Sequence, residues 1–75
     1  MRDEIIRIIK EVLPQIDIDS LNLVDGGIID SMSIVVLVSE LSERFNISFD
    51  LDDLDAKTFN SIDSIVEIVA KKLPR

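Results

Sequence analysis

Three stretches of this chain repeat apolar side chains every three to four residues, the period of one face of an α-helix, and that leaves few folds open. In the first, Arg2 to Leu13, the stripe is Ile5, Ile8, Ile9 and Val12, with Ile6 and Leu13 on its flanks. Pro14 ends it, because the residue before a proline is pushed out of the helical region. In the second, Ser31 to Phe45, the residues Ile34, Leu37, Val38, Leu41 and Phe45 fall within roughly 100° of arc, a core face. Asp30 is suited to cap its first turn, and Asn46 lets it stop. The third, Ser61 to Leu73, carries Ile62, Ile65, Val66, Val69 and Leu73 after an Asn60 or Ser61 cap. Lys71 and Lys72 sit in its last turn, where the helix dipole favours cations, and Pro74 closes it. A polar stretch from Asp50 to Ala56 has Leu51 and Leu54 three apart and predicts one or two helical turns.

Between Pro14 and Ile29 no strong period appears, and Asp17, Asp19, Ser20, Asn22, Asp25, Gly26 and Gly27 read as turn residues. This predicts a long loop, pinned to the core by Ile16, Ile18, Leu21 and Leu23. A loop of that length in a small domain is usually either functional or a sign that an element has been missed. The expected fold is all-α, a small four-helix bundle of three longer helices and one short helix with a long first loop. At 75 residues the chain supports one domain, residues 1–75.

Composition removes most chemistry. Neither Cys nor His is present, which excludes disulfide scaffolds, zinc fingers, thiol nucleophiles and most catalytic constellations. No Lys or carboxylate pair stands out as a substitute, so the chain reads as a non-enzyme with no metal site. The net charge of −7 would repel a phosphate backbone, and with three Phe, no Trp and no Tyr there is no base-stacking surface, so nucleic acid is not a partner. The longest apolar run, Ile34 to Val38, is five residues, far short of the ~20 that span a bilayer, and Met1-Arg2-Asp3-Glu4 lacks a signal-peptide layout. A cytoplasmic, monomeric protein without membrane insertion is expected.

The charge is concentrated. Residues 21–56 hold eight acids (Asp25, Asp30, Glu40, Glu43, Asp50, Asp52, Asp53, Asp55) against Arg44 alone, while residues 57–75 are net basic. This is either a solvated surface that aids solubility or a docking face for basic partners. Met32 and Val36 lie opposite the core stripe of the second helix, so either the neighbouring loop covers them or they form an apolar docking spot.

Two motifs remain. The cluster Asp50, Asp52, Asp53 and Asp55 hints at a calcium loop but lacks the central Gly and the closing Glu. The run Asp25-Gly26-Gly27-Ile28-Ile29-Asp30-Ser31-Met32 is a glycine turn leading into an Asp-Ser pair at a helix start. A serine there is either an ordinary capping residue or a reachable hydroxyl that could carry a phosphodiester, since the helix N-terminus favours an anion.

That run, with Glu43-Arg44-Phe45-Asn46-Ile47 ending the second helix and Thr58-Phe59-Asn60-Ser61-Ile62 opening the last, resembles the acyl carrier proteins over nearly the whole chain. The resemblance implies that Ser31 receives 4′-phosphopantetheine from coenzyme A and that Asp30 contributes to recognition by the phosphopantetheinyl transferase and its magnesium. It further implies a non-catalytic carrier that holds an acyl or aminoacyl group as a thioester. An activating ligase would load that cargo, and a downstream transferase or synthase would take it. A thiol supplied by the arm accounts for the missing cysteine. Fatty-acid carriers typically have further carboxylates after the serine, where this chain has Ser33 and Val36. The Asp-Ser-Met form is similar to D-alanyl carrier proteins of teichoic-acid synthesis and to discrete secondary-metabolism carriers. Partner enzymes would then meet an apolar spot of Met32 and Val36, surrounded by Glu40, Glu43, Asp50, Asp52 and Asp53. The reading from another class is an unmodified acidic helical interaction module, in which Ser31 only assists the cap.

Overall fold

The computed structural model describes residues 1–73. It contains four α-helices and a 3₁₀ turn: α1 (Arg2–Val12), α2 (Ser31–Phe45), the turn Leu51–Asp53, α3 (Ala56–Phe59) and α4 (Ile62–Lys72). The sequence period therefore locates the three long helices to within a residue at each end. Pro74, expected to close the last helix, lies outside the described residues.

Each boundary has a local cause. Leu13, before Pro14, leaves the helical region at φ −130°, ψ 79° and ends α1. Asp30 is extended, and its carboxylate accepts the Ser33 amide at 2.8 Å, satisfying a first-turn donor of α2. Asn46 closes α2 in the left-handed conformation, φ 55°, which Asn tolerates better than most residues. Of the two candidate caps for α4 the structure selects Ser61, whose hydroxyl accepts the Ser64 amide at 3.1 Å. Asn60 is used elsewhere.

The core is built from Ile5, Ile8 and Ile9 of α1, Leu37 and Leu41 of α2, Phe59 of α3, and Ile62, Ile65 and Val69 of α4. Helix α1 packs along α2 and against α4, and α3 packs on α4. The radius of gyration, 11.1 Å, matches the roughly 11 Å of a packed chain of this length. Among the described residues, no helix is long and apolar enough to cross a membrane.

One expectation needs correction. Leu21 does not pin the first loop, being 71% exposed; it lies in a bend braced by the Asn22 amide on the Ser20 hydroxyl, outside the segment held to the core. The anchors are Ile16, Leu23 and Ile29, with Ile18 and Val24 half-buried beside them. The one or two helical turns expected over Asp50 to Ala56 are present as the 3₁₀ turn Leu51–Asp53, and a further short helix, α3, follows because Asp55 is extended and starts it, its carboxylate accepting the Thr58 amide at 2.8 Å.

These caps make stability depend on acid. Asp30 is held below its usual carboxylate range by the Ser33 amide first and the Ser33 hydroxyl second; Asp55 is lowered by the Thr58 hydroxyl and amide. In the unfolded chain both take up protons near pH 4, in the folded chain only at lower pH. Their contribution is therefore complete above about pH 4 and is lost as pH falls through the folded values. Relief of the net charge of −7 acts the other way, so the comparison is made with Asp30→Asn/Asp55→Asn, which keeps caps but removes the titration. Between about pH 5 and pH 3 the wild-type Tm should fall more steeply than that of the double variant. Parallel curves would contradict this account of the caps.

Candidate functional site

The site lies where the first loop meets α2. Gly26 and Gly27 make the approach: the Gly26 amide donates to the Asn22 carbonyl at 2.6 Å, and a Cβ on Gly26 would sit 2.7 Å from that oxygen. Gly27 adopts φ 80°, a left-handed conformation that favours glycine. The chain then turns back so that the Ile29 amide meets the Leu23 carbonyl at 2.8 Å and the Ile29 side chain is buried. Asp30 and Ser31 follow at the surface.

Ser31 is exposed, and among the described residues its hydroxyl makes no hydrogen bond. The neighbouring carboxylate is committed to Ser33, and the first turn of α2 contains no acid. The positive end of a 15-residue helix therefore faces solvent beside an unengaged hydroxyl. These residues fit a phosphodiester-linked group: a reachable oxygen, room outside the fold, and a dipole favouring the anion.

The apolar residues flanking the serine are not covered by the loop. Met32 is 70% exposed and Val36 42% exposed, and they form one wall of a shallow groove whose other wall is Val12 and Leu13 at the end of α1. Asp30 and Glu40 also line this groove, which has a volume of about 520 Å³. Glu43, Asp50, Asp52 and Asp53 do not line it. Glu43 falls on the same helical stripe as Met32 and Val36, about three turns beyond the first and two beyond the second.

The acidic excess proves largely structural. Asp30 and Asp55 cap helices, Asp25 accepts from the Asn60 amide, and Glu40 shares Arg44 with Glu11 at 3.3 and 2.7 Å. Asp53 accepts the Asp50 amide and pairs with Lys72 at 2.8 Å, a half-buried contact whose hydrogen bond holds the Asp53 carboxyl below its usual range. Lys72 also lies over the Phe49 ring, 5.4 Å from its centre. Among the described residues, Glu43, Asp50 and Asp52 engage no basic side chain, and nowhere do three carboxylates converge as a metal site would require.

Two exposed apolar residues near the serine were missed from the sequence. Val35, 56% exposed, shares the outward face with Met32 and could have been found on the same helical wheel. Ile28, 40% exposed, sits in a turn without periodicity, so nothing marked it. Asn60 carried a signal only as a possible cap.

Residues 3–69 match the family described as "Phosphopantetheine attachment site". The chain belongs to that family: it is a non-catalytic carrier protein whose prosthetic group is phosphopantetheine. Among curated proteins it is 33% identical over 73 residues to the D-alanyl carrier protein of Streptococcus sanguinis (strain SK36), a match covering 95% of this chain and 92% of that protein. The D-alanyl carrier protein of Streptococcus suis (strain 05ZYH33) is 30% identical over 74 residues with the same coverage. No solved structure gives a significant match.

Proposed function

We propose that Ser31 is the attachment residue and that this protein carries an acyl or aminoacyl group as a thioester on the arm it bears. The exposed, unengaged Ser31 hydroxyl at the N-terminus of α2 carries this reading. Asp30 has two roles in it: capping α2 so that the serine is held in place, and offering its outer carboxylate face to the transferase and its magnesium. The whole of residues 1–75 acts as one carrier domain in the cytoplasm, as a monomer, passing between the phosphopantetheinyl transferase, an activating ligase and a downstream transferase or synthase.

Met32 and Val36 are the docking spot for the ligase, with Val35 extending it. Glu43, Asp50 and Asp52 supply the unneutralised charge around it; Glu40 and Asp53 contribute less, because Arg44 and Lys72 already face them. Val36→Glu is expected to reduce kcat/KM for loading by about tenfold or more, through a carboxylate placed in an apolar contact. Unchanged loading kinetics would remove Val36 from the interface.

D-alanine is the proposed cargo. The names of the relatives support it, as does the absence of acids from the first turn of α2. With ATP, magnesium and a D-alanine-activating ligase, the arm-bearing protein should gain one alanyl mass that hydroxylamine removes. Loading by fatty acids but not by D-alanine would overturn this cargo and leave the carrier reading standing.

A further inference from the structure

We infer that Asn60 is a positioning residue for the attachment serine, an inference that rests on Ser31 being the modified hydroxyl. The loop joining α1 to α2 is long, and burial of Ile16, Leu23 and Ile29 fixes its depth in the core. Burial has no direction, however, and does not fix how the chain approaches Ser31. Hydrogen bonds do, and those of Leu23, Val24 and Asp25, ahead of the glycine turn, converge on one residue.

Asn60 stands at the corner between α3 and α4. Its Oδ1 accepts the amides of Val24 at 2.9 Å and Asp25 at 3.1 Å, while its Nδ2 donates to Asp25 Oδ2 at 3.1 Å. Its carbonyl accepts the Leu23 amide at 2.9 Å. The Leu23 carbonyl in turn accepts the Ile29 amide at 2.8 Å, two residues before Ser31. Main-chain bonds thus link residue 60 through Leu23 to Ile29, and the Asn60 side chain adds the bonds that fix Val24 and Asp25, the residues leading into the Gly26-Gly27 turn before Ser31. Asn60 is not spent on its own helix, since Ser61 caps α4.

Helix α2 is held separately, by Leu37 and Leu41 in the core and by packing on α1. Loss of the Asn60 contacts therefore loosens the approach to Ser31 but leaves the Met32 and Val36 face in place. The consequence is specific: transfer of the arm should slow in kcat, while KM for the carrier stays near wild type. The clamp also requires an amide, an acceptor for two backbone donors plus a donor for a carboxylate. Aspartate at position 60 keeps the acceptor but sets two carboxylates against each other. Pairing Asn60→Asp with Asp25→Asn exchanges donor and acceptor and restores the set.

The test uses the full chain, coenzyme A, magnesium and a broad-specificity phosphopantetheinyl transferase, with arm addition followed by mass and amide hydrogen exchange followed at Val24, Asp25 and Ile29. Asn60→Ala and Asn60→Asp are each expected to lower kcat by about tenfold to a hundredfold, with KM within about twofold and faster exchange at Val24 and Asp25, whose amides the side chain accepts, while Ile29, held by the Leu23 carbonyl, changes less. Asp25→Asn/Asn60→Asp should return kcat to within about threefold of wild type and restore protection. Wild-type kcat in both single variants, a change confined to KM, or no recovery in a folded double variant would overturn the inference. If Asn60→Ala does not fold, Asn60→Asp and the exchanged pair still decide it. A wild-type chain that accepts no arm overturns the Ser31 reading itself, and is thereby distinguished from failure of the clamp alone.

Discussion

Phe59→Ala is expected to lower stability by about 3–5 kcal/mol, a large part of the roughly 5–15 kcal/mol that holds a domain together. Phe59 is fully buried and is the largest of the core side chains. It comes from α3, a helix of four residues with no stability of its own, and it is the one fully buried anchor of the segment between α2 and α4, where Ile47 is 8% exposed and Phe49 and Leu54 are half-buried against the core. Phe49 packs nearby with ring centres 6.5 Å apart, and Lys72 covers Phe49 in turn, so a cavity at position 59 undermines that contact as well. No disulfide compensates. For a domain of this size the expected fall in Tm exceeds about 12 °C. The control is Leu51→Ala, at a residue 88% exposed, which should stay within about 0.5 kcal/mol of wild type. A Phe59→Ala chain melting within a few degrees of wild type would mean that α3 is not part of the cooperative core.

Ser31→Ala is expected to have the opposite profile: no measurable change in fold and complete loss of arm addition, hence of loading. The hydroxyl contributes no hydrogen bond to the structure, and the cap of α2 is Asp30. The change in stability should therefore be about 1 kcal/mol or less. Melting curves and arm addition measured on the same preparation separate a site from a cap. An unmodified interaction module would keep its partner through the same substitution, while a carrier would keep its fold and lose its chemistry.

How much of this was legible in the sequence depends on the kind of force involved. The three long helices were, because each repeats its apolar stripe over several turns and has a boundary signal: Pro14 after α1, Asp30 and Asn46 at the two ends of α2, and Ser61 before α4. Helix α3 was not, since four residues complete barely one turn and show no period; its start is set by Asp55, one of several aspartates in a row any of which could cap. The buried role of Phe59 was hidden for the same reason. In the first loop, Leu21 and Leu23 look alike as letters. What separates them is the Leu23 amide on the Asn60 carbonyl, a contact between residues 37 positions apart that no local pattern encodes. The Asp30 cap and the outward direction of Met32 and Val36 were legible from helix geometry, but whether the first loop covers those two side chains was not, because that depends on where a segment without periodicity packs. The acidic surface was legible as a total but not in its internal pairings: Asp25, Asp30, Glu40, Asp53 and Asp55 face an amide or a cation brought to them by the fold, while Glu43, Asp50 and Asp52 engage no basic side chain among the described residues.

The central claim, that Ser31 carries the phosphopantetheine arm, is tested most directly by intact-protein and peptide mass spectrometry after incubation with coenzyme A, magnesium and a broad-specificity transferase. One added phosphopantetheine is expected, localised to the peptide containing Ser31 and absent from Ser31→Ala. Addition at another residue, retention of the modification in Ser31→Ala, or no added mass in a folded sample across several transferases would contradict it.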